Sequence, residues 1–236
     1  MMKQVVAIIP ARGGSKGIPR KNLQKVDGIP LVGLAIQQAQ QARNIHRVFV
    51  STEDAEIALV AKGFGAETLG RSEEFIHDNT FMEVDRLLQW SVRLMEQNGV
   101  EIDVLTMLYP TAPLRTIQSI EQTVAKVVEG GYDSALTLYD DSKYLWKVHA
   151  DGSALPVNYD PKKRGPRQLE GWNQWAENKA VYAMTKALIM ETGCRLGGRI
   201  GFVPMNAWES IDVDAPEDLE MVRAILLARK SMRVTP

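Results

Sequence analysis

The chain has 236 residues, enough for one large core or one core with a sizeable insertion, and short of two independent cores. Apolar residues make up 45% and charged residues 24%, an ordinary globular usage that excludes a collagenous, low-complexity or disordered chain. With 28 Lys and Arg against 29 Asp and Glu, the net charge of -1 gives no bulk attraction to nucleic acid or anionic lipid, so any polyanion has to be met locally.

The first apolar run, Val5-Val6-Ala7-Ile8-Ile9, is cut by Pro10 and is too short for a signal core or a membrane span. Continuously apolar and rich in β-branched residues, it predicts a strand buried on both faces. A loop follows at once, reading Ala-Arg-Gly-Gly-Ser-Lys-Gly-Ile-Pro-Arg-Lys-Asn over 11–22. In it Arg12, Lys16, Arg20 and Lys21 supply four cations and no acid. Glycines let amide N–H groups approach an anion and the cations neutralise it, which is the chemistry a di- or triphosphate needs. The spacing fits neither G-x-x-x-x-G-K-[ST] nor G-x-G-x-x-G. A solvated basic turn is the competing reading, and the position directly after a buried strand speaks against it.

Leu31, Leu34, Ala35 and Ala39 recur at helical spacing, and 47–50 reads as a second buried strand ending at Ser51-Thr52. A helix over 54–62 carries Ile57, Val60 and Ala61 on one stripe; another over 81–97 precedes a strand at 104–108. Ile117, Ile120, Val124 and Val127 face the next helix inward, and 135–138 forms a short strand. This alternation predicts an α/β fold, a mostly parallel sheet flanked by helices in three layers, with ligands at the carboxyl ends of the strands. Over about 140–177 the periodicity fades and Trp146, Trp172 and Trp175 stand among basic residues, which reads as an arm inserted into a single domain of 1–236. Patterning returns at 180–184 and 200–203, and Pro216 opens a last helix with Leu219, Val222 and Leu226 inward.

In Ser210-Ile211-Asp212-Val213-Asp214 two carboxylates stand two residues apart, so in extended backbone both leave the same face. Hard oxygen ligands so placed suit Mg2+, which favours one or two carboxylates plus water and phosphate oxygens. Asp214 can equally be the N-cap of the helix that Pro216 opens; Asp212 has no such role. The three histidines, His46, His77 and His149, lie far apart without ligand spacing. A lone Cys194 forms no internal disulfide, and a reducing cytoplasm is expected. His77 beside Asp78 is not read as a catalytic dyad, since adjacent side chains point apart.

Taken together, A-I-I-P-A-R-G-G-S-K-G-I-P-R-K-N at 7–22, Y-P-T-A-P-L-R at 109–115 and I-D-V-D at 211–214 resemble the acylneuraminate cytidylyltransferase family. Arg71 with Asp78, Arg167-Gln168, and Glu177-Asn178 with Ala180 and Tyr182 add weaker support, and the likeness runs over about 4–228. The resemblance implies a Rossmann-like sheet, a homodimer joined through the arm, and CTP reacting with a nine-carbon 2-keto sugar acid to give the CMP-sugar and pyrophosphate with Mg2+. By position it implies that Arg12, Gly13, Gly14, Ser15, Lys16, Lys21 and Asn22 hold the nucleotide with Arg71, and that Asp212 and Asp214 hold the metal. It implies Tyr109, Thr111, Arg167 and Gln168 on the sugar side, with Lys21, Arg12 and Asp212 catalytic. Asp212 is the metal ligand or base nearest the sugar hydroxyl in that scheme.

Sialate-activating members of the family commonly carry Gln where Tyr109 stands and Asn-Gly where this chain has Asn178-Lys179. Tyrosine there is closer to pseudaminate-activating relatives, so the sugar's exocyclic groups stay open among sialic, legionaminic and pseudaminic types. Two further readings compete: activation of an eight-carbon keto-deoxy sugar acid, and a non-catalytic nucleotide-binding module. A pure binder has no need of paired metal ligands beside Lys21.

Overall fold

Every residue of Val5–Pro10 is buried, and this strand, β1, runs through the interior of a seven-stranded sheet. Ala7 and Ile9 feed one core while Val6 and Ile8 feed another, the alternation that a strand covered on both faces requires. The computed structural model describes residues 3–15, 17–77, 83–163 and 173–234. After β1 and a 3-10 turn at Lys21–Leu23 comes a small hairpin, β2 (Lys25–Val26) and β3 (Ile29–Pro30). Its turn residues Asp27 and Gly28 both have positive φ, 55° and 79°, as a two-residue hairpin turn demands.

There follow α1 (Leu31–Gln41), β4 (Arg47–Ser51), α2 (Ala55–Gly63), β5 (Glu67–Leu69), α3 (Glu74–His77) and α4 (Glu83–Gln97). Next come β6 (Val104–Leu108), α5 (Ile117–Val128) and β7 (Ser134–Asp140). A separate hairpin, β8 (Trp146–Val148) with β9 (Ala154–Pro156), precedes β10 (Trp175–Thr185), α6 (Lys186–Thr192), β11 (Ile200–Met205) and α7 (Pro216–Val234). The sheet order is β11-β7-β10-β6-β1-β4-β5, and β10 alone runs against its neighbours. The expected mostly parallel sheet is therefore what the chain forms.

Val32, Ala35, Ile36 and Ala39 of α1, with Ile57 of α2 and Ile120 of α5, cover one face. Leu88, Val92 and Met95 of α4, with Leu188 and Ile189 of α6, cover the other, giving three layers. Each such aliphatic side chain contributes about 1.5–3 kcal/mol by leaving water. Asp54 caps α2 by accepting from the Glu56 and Ile57 amides, both at 3.0 Å, so the sequence stretch 54–62 begins with its own start signal. A smaller third core joins Ile18, Val26, Leu31, Leu114, Val213, Leu219 and Val222. It fastens the loop after β1, the small hairpin, the Asp212–Asp214 segment and α7 to one another.

The arm is shorter than the expected 140–177. Asp140 pairs with Trp175 and Leu138 with Glu177, so the chain has re-entered the sheet by Trp175. Both β7 and β10 extend beyond their apolar runs because each is the other's hydrogen-bonding partner there. Trp172 lies outside the described residues, as does the start of the helix expected over 81–97.

Candidate active site

The loop after β1 is fixed from behind. Asn22, buried, donates to the Arg12 carbonyl at 2.9 Å, and Glu53 accepts from the Gly13 amide at 2.6 Å. Arg71 donates to the Ser51 carbonyl at 3.1 Å, and its Nε lies 3.6 Å from Glu53. Arg20 turns away to pair with Asp54 and, at 2.5 Å, with Glu56, holding the Asp54 carboxyl below the usual range. Of the loop's cations, Arg20 is thus an anchor to the start of α2, while Arg12 and Lys21 line the cleft. Lys16 lies outside the described residues.

The loop and the paired aspartates meet. Val213 is fully buried in the third core beside Ile18, so the flanking Asp212 and Asp214 turn the opposite way, into the cleft. The Val213 amide donates to the Thr111 carbonyl at 2.7 Å, which ties the segment to the turn after β6. Lys21 Nζ donates to the Val213 carbonyl at 2.9 Å and to Asp214 Oδ1 at 2.8 Å. That contact with Lys21 holds the Asp214 carboxyl below its ordinary range. Gly17 is what permits so close an approach: a Cβ there would be driven into the Asp214 carbonyl oxygen. Asp214 is not the N-cap of α7. Asp218, inside the first turn, accepts from the Asp214 and Ala215 amides at 2.9 and 2.7 Å, leaving the Asp214 carboxylate for the cleft.

The reversed strand adds a third wall. Because β10 is antiparallel to β6, its early residues lie beyond the carboxyl end of β6, where Val181 pairs with Leu108. Between Glu177 and Tyr182 the register against β7 shifts, five residues spanning what Leu136 to Leu138 span in two, so residues 178–180 bulge. Asn178, 3% exposed, holds the bulge: Oδ1 accepts from Thr137 Oγ1 at 2.7 Å and from the Ala180 amide at 3.2 Å, and Nδ2 donates to Ser210 Oγ at 3.0 Å. Lys179 sits in the left-handed conformation, φ 55°, which costs a non-glycine residue about 1–2 kcal/mol. Its Nζ lies 2.7 Å from Asp212 Oδ2 and 3.5 Å from Asp214 Oδ2, and the Asp212 contact raises the ammonium above its ordinary range. Arg115, wholly buried, donates to the carbonyls of Tyr109 and Ala180 and clasps the turn after β6 to the bulge. Burial pushes its guanidinium down to about 9.

These walls enclose a cleft of about 610 Å3. Of the expected nucleotide residues, Arg12, Ser15, Lys21, Asn22 and Arg71 line it; of the sugar residues, Tyr109 and Thr111; and both Asp212 and Asp214 do. Gly13 and Gly14 do not reach its lining, the Gly13 amide being spent on Glu53. Arg167 and Gln168 lie outside the described residues. Sequence reasoning missed Gly17 and Lys179 on the lining, and also Val84 and Leu87, which give the Tyr109 side an apolar wall. Burial raises the Tyr109 hydroxyl above its usual range. A divalent cation fits the donor set. Asp212 Oδ1 is buried with no hydrogen-bond partner, and the opposing oxygens already receive an ammonium. Among the described residues there is no group of three or more His, Cys, Asp or Glu that could hold a metal ion.

A family model described as cytidylyltransferase matches residues 6–145. N-acylneuraminate cytidylyltransferase A of Danio rerio is 32% identical over 219 residues, covering 92% of this chain and 49% of the relative. CMP-N,N'-diacetyllegionaminic acid synthase of Legionella pneumophila is 27% identical, covering 94% of this chain and 96% of the relative. A solved structure of CMP:2-keto-3-deoxy-manno-octonic acid synthetase complexed with CTP matches with a TM-score of 0.71 at 21% identity, covering 96% of this chain and all of that one. The last shows a shared fold. The chain spans about half the length of the three N-acylneuraminate cytidylyltransferases that it matches.

Proposed function

The chain belongs to the cytidylyltransferase family, and from that premise we propose that it transfers CMP from CTP to a nine-carbon, sialic-acid-like 2-keto sugar acid, releasing pyrophosphate. The observation that carries the reading is Lys21, held at once by Asp214 and by the Val213 carbonyl, which joins a phosphate-type loop to a metal-type carboxylate pair. In this scheme the sugar's anomeric hydroxyl attacks the α-phosphorus, its bond to the bridging oxygen breaks, and pyrophosphate leaves. Arg12, Ser15, Lys16, Lys21 and Asn22 hold the triphosphate, with Arg71 behind the loop. Lys21 meets the charge that grows on the departing pyrophosphate. Asp212 and Asp214 would hold Mg2+, which when bound neutralises phosphate oxygens and lowers the barrier to attack. Asp212 has two oxygens, so it can serve the metal with one and take the hydroxyl proton with the other.

Sugar binding falls on the side of Tyr109, Thr111 and the Val84–Leu87 wall, with Arg167 and Gln168 assigned to the substrate carboxylate, for which a planar guanidinium is the best clamp. A homodimer is part of the proposal. It is supported by exposed Trp146, Val148, Leu155 and Val157 on the arm hairpin and by Ile200 and Phe202 on the edge strand β11, where Phe202 packs on Trp175 at 5.3 Å. No described helix is long and apolar enough to cross a membrane, and with one unpaired cysteine a cytoplasmic setting is proposed.

The test is pyrophosphate release from each nucleoside triphosphate with a panel of nine-carbon and eight-carbon keto sugar acids, products identified by mass. CTP with a nine-carbon acid is the expected pair. Release with eight-carbon acids alone would move the substrate class, and tight CTP binding without release from any acid would make the protein a binder.

A further inference from the structure

A cation already stands between Asp212 and Asp214, and the chain itself supplies it. Lys179 Nζ donates to Asp212 Oδ2 at 2.7 Å and to Asp214 Oδ2 at 3.5 Å. Lys21 takes the other oxygen of Asp214 at 2.8 Å. Two ammoniums and two carboxylates thus alternate across the cleft, and their formal charges cancel.

The two lysines are not equivalent. The Lys21 side chain is 14% exposed and is tied a second time, to the Val213 carbonyl. The Lys179 side chain is 53% exposed and reaches in from the bulge on a flexible stem. An ion pair so open to solvent is weakly held and can be exchanged. Lys179 also keeps a side chain where the backbone is left-handed, and such a conformation persists only where the surroundings enforce it. Here Asn178 enforces it, through the Ala180 amide on one side and Ser210, two residues before Asp212, on the other.

A dication seated on the same carboxylates would face the Lys179 ammonium at close range, and like charges in a half-buried site repel strongly. Resting on the reading of Asp212 and Asp214 as the metal-holding pair, we propose that Lys179 is the internal competitor for that pair. Its ammonium and a divalent cation exclude each other there, so metal entry requires Lys179 to swing toward the cleft mouth.

The experiment follows binding of Mn2+ alone, without nucleotide, by the electron paramagnetic resonance of the free ion. Lys179→Met removes the charge and keeps the stem; Lys179→Gly removes the charge and relieves the left-handed backbone, so that one charge-free variant carries no strain at this position. Both are expected to bind Mn2+ about ten- to a hundredfold more tightly than wild type. Lys179→Arg, which keeps the charge, is expected to bind no more tightly than wild type, and Asp212→Asn added to Lys179→Gly removes the gain. Charge-free variants that bind no better than wild type, with binding still lost on Asp212→Asn, would overturn the competition and leave the metal pair standing. Mn2+ binding untouched by Asp212→Asn or Asp214→Asn in every background would overturn the metal pair and the competition with it.

Discussion

Asn178→Ala removes the side chain that connects the β10 bulge to the aspartate segment. In the folded protein this amide accepts from Thr137 Oγ1 and the Ala180 N–H and donates to Ser210 Oγ, in surroundings where Asn178 is 3% exposed. Thr137 has a fallback acceptor in the Val181 carbonyl at 3.4 Å, and Ser210 keeps the Asn206 carbonyl at 2.8 Å. The Ala180 N–H loses the Asn178 acceptor, and a buried donor left unpaired costs about 1–3 kcal/mol. The void left by the amide adds to this, so the total is about 2–4 kcal/mol. In urea unfolding the midpoint should drop with the slope unchanged. Because the same side chain positions Lys179 and Ser210, turnover should fall more than CTP affinity does. A variant within about 0.5 kcal/mol of wild type, with unaltered turnover, would refute the claim that Asn178 holds the bulge.

Gly17→Ala forces a methyl into the Asp214 carbonyl, a backbone contact that cannot yield cheaply, so the loop and the aspartates must part. Pyrophosphate release should drop by about a hundredfold, the scale of a 1 Å misplacement. Gly63→Ala, where nothing lies within 4 Å of the added carbon, should leave it unchanged, and equal losses in both variants would contradict the reasoning. The Asp214 carboxyl is held low by Lys21, so its contribution to stability is present above the unfolded carboxylate range and fades as pH falls through its depressed value. In metal-free protein, wild type should therefore be more stable than Asp214→Asn near neutrality and lose that advantage progressively below about pH 4. Thermal melts of both proteins across this window check it, and a difference that persists at low pH would show the attribution to be wrong.

Much of the fold was legible because buried parallel strands advertise themselves. Val5 to Ile9 is a continuous apolar run and 104–108 is apolar but for the buried Thr106, and the helices between them carry stripes at 3.6 spacing. Of the candidate site, the sequence pattern picked out Arg12, Lys21, Asp212 and Asp214, which the fold brings to one cleft. What escaped was set by partners far away in sequence. The reversed direction of β10 cannot be read from its own residues, and it is this reversal that carries Lys179 to the aspartates. Likewise Arg20 belongs to the same cation run as Lys21, yet Asp54 and Glu56 draw it out of the cleft. Gly13 and Gly14 look like a phosphate cradle, but the Gly13 amide is engaged by Glu53, and Gly17 matters through a contact with a segment almost two hundred residues on. One local signal was there to be used: Asp27-Gly28 between Val26 and Ile29 is a strong hairpin pattern, and the hairpin forms.

In the proposed reaction the cationic loop and the paired aspartates act on a single triphosphate. A crystal structure of the protein with CTP and Mn2+, read by the anomalous signal of the metal, tests it most directly. The metal is expected on Asp212 and Asp214, with the triphosphate oxygens meeting it and Arg12, Ser15 and Lys21. Phosphates bound away from the 11–22 loop, or metal bound without either aspartate, would contradict it.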